Sequence, residues 1–319
     1  MTEKSYETHF QENKLTENYE YHWPVMLTEC LEGLAIKPDG IYVDVTFGGG
    51  GHSKAILAKL TTGHLYSFDQ DEDAERESEK IKSDNFTFIR ANFRNIQKYL
   101  KLYGVAQVDG ILADLGISSH QIDTPERGFS TRFDAALDMR MNTTAELTAA
   151  EVLNEYSAEQ LHKIFGMYGE LKNARSVAQT IVNKRHSTPI NTIADLKSVL
   201  NPLAPRGKEN KYFAQVFQAL RIEVNQEMQV LEEFLLQVPE VLAPGGRLVV
   251  MSYHSLEDRP VKNFIRSGKF FGEVEKDMFG HEIKPLTSIT RKPLEANDEE
   301  IARNPRARSA KLRIAEKSA

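Results

Sequence analysis

Short apolar runs at residues 41–45, 65–68, 86–89 and 109–112 alternate with stretches of helical spacing at 53–60 and 73–81. The runs are too short for helices and are bounded by glycine and polar clusters, so they predict strands. Strands alternating with helices imply βαβ units and a parallel, doubly wound sheet, an α/β fold. Residues 116–142 carry no period and form a connection longer than usual, which points to function. From residue 148 to about 200 the spacing turns helical, with Thr148, Ser157 and Thr192 placed as N-caps and no strand expected. Residues 212–241 read as one long helix or two, ending in the Ala243-Pro244-Gly245-Gly246 turn. A buried strand at 247–253, a helix at 256–265, a loop-rich stretch at 268–304 and a closing strand at 310–315 complete the pattern. The expected organisation is an α/β domain of residues 21–134 and 213–319, interrupted by an inserted all-helical domain at 135–212.

Residues 1–20 are polar and aperiodic, with five Glu against two Lys, and are expected to be a disordered acidic tail. That tail holds −3 of the net charge of −6, so the overall balance hides a basic end. Arg303, Arg306, Arg308, Lys311 and Arg313 lie within eleven residues without an acid among them. Such a run is either a solvated basic edge or a phosphate-facing patch. No run of about 18 apolar residues occurs and no basic-then-apolar leader opens the chain, so no membrane contact and a cytoplasmic location are expected. Cys30 is the single cysteine, which excludes an internal disulfide and a multi-cysteine zinc site.

The chemistry concentrates at predicted strand ends. Gly48, Gly49, Gly50 and Gly51 follow the first strand, and Asp69 ends the second. Glycines at a strand-to-helix turn let a ligand approach the backbone, and a carboxylate about twenty residues on can accept from ribose hydroxyls. Asp44 either braces this loop or meets a ligand amine. The third glycine of a dinucleotide fingerprint would fall on Ser53, and the acidic run Asp69, Asp71, Asp73 suits a cationic sulfonium better than a pyrophosphate. S-adenosylmethionine therefore fits better than NAD.

Asp114 ends another strand, and the loop after it offers Gln121, Asp123, Arg127, Phe129, Asp138 and Arg140, a mixture that suits a lid over a polar, planar substrate. His254 follows the 247–253 strand as a substrate contact or beside Ser255 as a helix cap. His52, His120 and His254 are scattered without ligand spacing, so no metal is expected. Trp23, beside Pro24, reads as packing rather than stacking.

Residues 22–29 (HWPVMLTE), 46–53 (TFGGGGHS), 114–119 (DLGISS), 127–130 (RGFS), 137–141 (LDMRM), 252–258 (SYHSLED) and 304–309 (NPRARS) occur in order. Together they resemble the MraW/RsmH family, bacterial methyltransferases acting on cytosine N4 of small-subunit (16S) ribosomal RNA. The resemblance runs from His22 nearly to the C-terminus and leaves out the acidic tail. It implies a class I methyltransferase fold in which the helical insertion recognises substrate. It also implies cofactor contacts at Gly50, Gly51, His52, Asp69, Phe93, Asp114 and Gln121; Phe93 enters only by this route. The implied partner is 16S ribosomal RNA within the small subunit, and a homodimer is left open.

Cytosine N4 is a weak nucleophile, so catalysis needs an acceptor for its proton and an in-line approach to the methyl group. The Asp/Asn-Pro-Pro-aromatic motif of amino methyltransferases is replaced here by Ala113-Asp114-Leu115-Gly116. Asp114, or a carbonyl beside it, is the expected acceptor, with Phe129 or Tyr253 stacking on the base. Asp138, Tyr253 and His254 are expected to touch substrate, and Arg306 and Arg308 the RNA backbone. Two other readings are a NAD-dependent oxidoreductase and a non-catalytic RNA-binding assembly factor on the same fold.

Overall fold

The computed structural model describes residues 23–318, so the acidic segment 1–20 and His22 lie outside the described residues. Nine strands are assigned among them: β1 (Ile41–Asp44), β2 (His64–Asp69), β3 (Phe86–Arg90), β4 (Val108–Asp114), β5 (Leu242–Ser252), β6 (Glu275–Lys276), β7 (Glu282–Ile283), β8 (Leu286–Ser288) and β9 (Lys311–Lys317). Seven form one sheet in the order β3-β2-β1-β4-β5-β9-β8, while β6 and β7 make a separate hairpin. The pairings from β3 across to β5 are parallel, and β9 joins β5 antiparallel, with β8 antiparallel on its outer side. The chain builds β1, β2 and β3 outward in one direction and then returns to lay β4 and β5 on the other side of β1. That reversal between β1 and β4 is a topological switch point, where open α/β sheets bind ligands beyond their strand C-termini.

Both faces of the sheet are covered, which is why its strands read as continuous apolar runs rather than alternating ones. Val43, Ile111, Ala113, Leu248 and Val250 point into one core with Phe234, Leu235 and Phe264. Their neighbours Tyr42, Leu112, Val249 and Met251 point into the other, with Met26, Cys30, Leu34 and Ile56. Successive residues take opposite sides because the strand period is two. The helix Leu27–Leu34 supplies the second core and starts from Met26 in a left-handed conformation.

Two compact units are present: residues up to Gly116 together with those from Leu231 onward, and Ile117–Val230. The second is helical, built from Ser119–Asp123, Ala149–Glu155, Ala158–Met167, Ala174–Arg185, Ile193–Leu200 and Glu209–Asn225. It reaches beyond 135–212 on both sides because Phe129 before it and Phe213, Val216, Phe217 and Leu220 after it fill the same core. Thr148, Ser157 and Thr192 cap their helices, each in a reciprocal capping box with Glu151, Gln160 and Asp195. One isolated bridge, Ala136 to Thr192, is the extended pairing in this unit. Residues 212–241 form two helices because Gln226 turns left-handed between Glu209–Asn225 and Glu227–Val241.

The expected turn at 243–246 is a wide irregularity inside β5: Val108 pairs with Leu242 but Gly110 pairs with Arg247. Within the loop-rich 268–304 stretch, three short strands and the helix Asp298–Arg303 were not anticipated, since two- and three-residue strands carry no readable period. The helix Ile96–Leu102 was likewise missed.

Candidate active site

The site is assembled at the C-terminal ends of β1, β2, β4 and β5. After β1 the chain turns through Gly48 and Gly50, both at positive φ, and enters the helix Gly51–Leu57. A side chain at Gly50 would strike the Phe47 ring and one at Gly51 would overlap Pro24, whereas nothing lies within 4 Å of a Cβ built on Gly49. The loop is thus packed on its back and open above Gly49, the cradle a nucleoside cofactor needs.

Asp44 is the brace. Its buried carboxylate accepts from the Ser53 hydroxyl at 2.6 Å and from the Thr46 amide at 3.1 Å. Burial raises its pKa, while those hydrogen bonds pull the other way. Ser53, which replaces the third glycine of the dinucleotide fingerprint, therefore has a positive role: its hydroxyl ties the first helical turn to β1.

Asp69 ends β2 with Oδ2 accepting from the Gly48 amide at 2.8 Å and Oδ1 from the Asp71 amide at 2.9 Å. Each oxygen keeps further lone-pair capacity for a ribose hydroxyl. Burial pushes its pKa up to about 6 against those two hydrogen bonds. The acidic run divides by role: Asp71 caps the helix Glu72–Ser78, and Asp73 pairs with Arg76. Asp69 is the one whose carboxylate holds the glycine-loop amide of Gly48.

Asp114 ends β4. Its amide donates to the Thr46 hydroxyl at 2.7 Å, and its Oδ1 accepts from the Tyr253 hydroxyl at 2.8 Å. Oδ2 lies 3.8 Å from Nδ1 of His52. Burial raises the Asp114 pKa to about 6, opposed by His52 and by the Tyr253 hydrogen bond and reinforced by Asp44 and Glu257. Burial lowers the pKa of His52, with Asp114 opposing. The Tyr253 hydroxyl is pushed well above the usual phenol range by burial and then by Asp114. Three carboxylates concentrated at the strand ends, Asp44 buried and Asp69 and Asp114 partly so, make an acceptor set that fits a cationic sulfonium nucleoside.

His52 is positioned from outside the sheet. Its Nε2 lies 3.1 Å from the Val25 carbonyl, in the segment that opens the described chain. That segment is clasped by the far end of the sequence: Glu300 accepts the Met26 amide at 2.5 Å, and the Arg303 guanidinium covers the Trp23 ring at 5.3 Å. Trp23 is a packing residue that also carries a cation–π contact. Glu300 had no legible signal, because its partner is 274 residues away.

His254, rather than Ser255, caps the helix Ser255–Ser267, and its Nε2 lies 2.9 Å from the buried Glu257 carboxylate. Glu257 also accepts the Tyr253 amide at 2.8 Å, so it fixes the residue that touches Asp114. Neither Thr46 nor Glu257 was singled out from sequence, although both fall inside the quoted motifs. Phe93 is half-buried, edge-on to Phe234 with ring centroids 5.3 Å apart, and begins a short 3₁₀ turn after β3.

In the helical unit, Gln121 is buried and completes a capping box with Ser118. Phe129 does not meet the expectation of a stacking aromatic: it is 7% exposed within the helical core, under the Arg127 guanidinium. Asp138 is gripped by the Arg140 guanidinium at 2.8 and 2.7 Å, which outweighs burial and holds its pKa below the usual range. Arg127 donates to the carbonyls of Arg140 and Met141, so the RGFS and LDMRM motifs bind each other. Gly128 is required there, because its φ is +74° and a Cβ would lie 2.5 Å from the Ala136 carbonyl oxygen.

The basic segment divides as well. Arg313 makes a two-pronged ion pair with Asp258 at 2.6 and 3.0 Å, and Arg303 covers Trp23. Arg308 is exposed and Arg306 half-buried on the 3₁₀ turn Pro305–Ser309.

A seven-stranded sheet of this order, with a glycine loop and acidic strand ends at the β1/β4 switch point, defines a class I methyltransferase. Residues 19–318 match the MraW methylase family, and the chain belongs to it. It is 59% identical over 297 residues to the ribosomal RNA small subunit methyltransferase H of Cytophaga hutchinsonii, covering 93% of this chain and 99% of that one. The protein of the same name from Christiangramia forsetii is 58% identical, with 93% and 98% covered. That from Flavobacterium johnsoniae is 57% identical, with 95% and 100% covered. The chain is a methyltransferase, which sets aside the oxidoreductase reading.

Proposed function

We propose that this protein transfers a methyl group from S-adenosylmethionine to N4 of a cytosine in small-subunit (16S) ribosomal RNA. The observation that carries the reading is Asp114, a carboxylate at the switch point whose Oδ1 is held by Tyr253 and whose Oδ2 faces His52. The names of the relatives support the RNA substrate. When bound, S-adenosylmethionine supplies an electrophilic methyl carbon on a sulfonium. Gly50, Gly51, His52, Asp69 and Phe93 are assigned to hold it, Asp69 through the ribose hydroxyls. The chain's own contribution to catalysis is to orient the N4 amine and accept its proton at Asp114, while Tyr253 and His254 meet the base. Arg306 and Arg308 contact the RNA backbone, and the helical unit recognises the substrate, within an assembled subunit in the cytoplasm. No helix among the described residues is long and apolar enough to cross a membrane.

The test is incubation of the purified protein with labelled S-adenosylmethionine and small subunits from cells lacking it, followed by mapping of the label. The expected product is N4-methylcytosine at one position. Label on another atom, or binding of RNA without transfer, overturns the assignment; the latter favours an assembly factor.

A further inference from the structure

We propose that His52 and Asp114 form a proton-sharing pair that takes up the proton released by the substrate amine, so that His52 is a catalytic residue and not only a cofactor contact. The inference rests on the function proposed above. Its basis is the direction of the lone pairs. The Val25 carbonyl can only accept, and it lies 3.1 Å from Nε2, so the ring hydrogen of neutral His52 is on Nε2. Nδ1 then presents a lone pair toward Asp114 Oδ2 at 3.8 Å, a separation too long for a hydrogen bond. With Asp114 ionised, two acceptors face each other. One added proton turns this repulsion into attraction, and an approach of His52 by about 1 Å closes an Oδ2–H···Nδ1 hydrogen bond.

The carboxylate is not free to turn away. Tyr253 holds Oδ1 at 2.8 Å, and the Asp114 amide is anchored on Thr46 at 2.7 Å. Among the described residues, the titratable groups facing Asp114 are His52 from the glycine-loop helix, Tyr253 and Glu257 from beyond β5, Asp44 from β1 and Cys30 from the helix Leu27–Leu34. None of these is a lysine or arginine, so nothing in the set competes with an arriving proton for the Asp114 charge.

In the step itself, the N4 lone pair forms the new C–N bond as the C–S bonding pair stays on sulfur. N4 is left with one proton too many. That proton passes to Asp114 Oδ2, is shared with His52 Nδ1, and leaves to water before the next turnover. Methylated amine, neutral thioether and one proton balance the reactants.

The pair is tested first without cofactor or RNA, by NMR of the ¹⁵N-labelled imidazole and ¹³C-labelled carboxyl in the free protein. The expected result is a Nε2–H tautomer for His52 and one shared midpoint, at which Nδ1 and the Asp114 carboxyl titrate together. Asp114→Asn should remove that transition from Nδ1. Independent midpoints in the wild type, or a Nδ1–H tautomer, overturn the pair. In turnover at saturating cofactor, His52→Gln should lower kcat on the order of 100-fold, a loss separate from any weakening of cofactor affinity read by calorimetry. A loss confined to cofactor affinity with kcat intact overturns the catalytic role. Shared titration in a wild-type protein that methylates no cytosine overturns the proposed function instead.

Discussion

Asp69 and Asp114 each have a pKa pushed up to about 6 by burial. An acid whose folded pKa is raised destabilises the folded state once ionised. The contribution is fully favourable below the ordinary carboxyl pKa near 4 and is lost as pH rises through about 6. Asp114→Asn should therefore stabilise the cofactor-free protein at pH 8 by on the order of 2 kcal/mol in chemical denaturation, and the gain should vanish near pH 4. Equal stability of mutant and wild type across that range would remove the burial argument. Activity should show the opposite preference. Acceptance of the amine proton requires ionised Asp114, so kcat should rise with pH through about 6 and then level, and Asp114→Ala should lose about 100-fold or more. On the proposed role of Asp69 as the ribose acceptor, Asp69→Ala should weaken cofactor Kd by about tenfold or more, read by calorimetry. The glycine loop, Asp69 and Asp114 were legible from sequence because each ends an apolar run. Thr46 and Glu257 were not, because their role is to hold other residues and nothing in their own spacing announces it.

Capping rules and periodicity act over one turn of chain, and the elements they govern were readable. Thr148, Ser157 and Thr192 were expected as caps and are caps. Thr192→Ala should cost about 1 kcal/mol in chemical denaturation, since Asp195 loses the hydroxyl that its amide meets at 3.1 Å. Where elements meet, local rules stop. The Arg313–Asp258 pair joins β9 to the helix Ser255–Ser267, with side chains 12% and 14% exposed. Arg313→Met should destabilise by about 3 kcal/mol because Asp258 would be left charged and poorly solvated. An effect below about 0.5 kcal/mol would return Arg313 to the solvated basic edge.

At the scale of the molecule, Arg303 and Arg313 are engaged within the fold, Arg306 is half-buried and Arg308 is exposed, and the last two are the ones proposed to meet RNA. Changing Arg306 and Arg308 together to Ala should weaken RNA binding uniformly across sequences. It should also lower the slope of log affinity against log salt by roughly 1.4, two contacts at about 0.7 each on single-stranded RNA. An unchanged slope would take the segment out of the RNA interface.

The doubly wound sheet, the helical insertion and the strand-end carboxylates were written in the linear pattern, because periods of 2 and 3.6 and glycine turns are short-range properties. Which lone pairs face each other was not. Tyr253 and Asp114 are 139 residues apart, and Met26 and Glu300 are 274 apart. Such pairs meet because β5 is laid beside β4 and the segment Glu300 to Arg303 closes over Trp23 to Met26. The burial of Phe129, the engagement of Arg313 and the opposition of His52 to Asp114 arise the same way, from packing between segments that no local period connects.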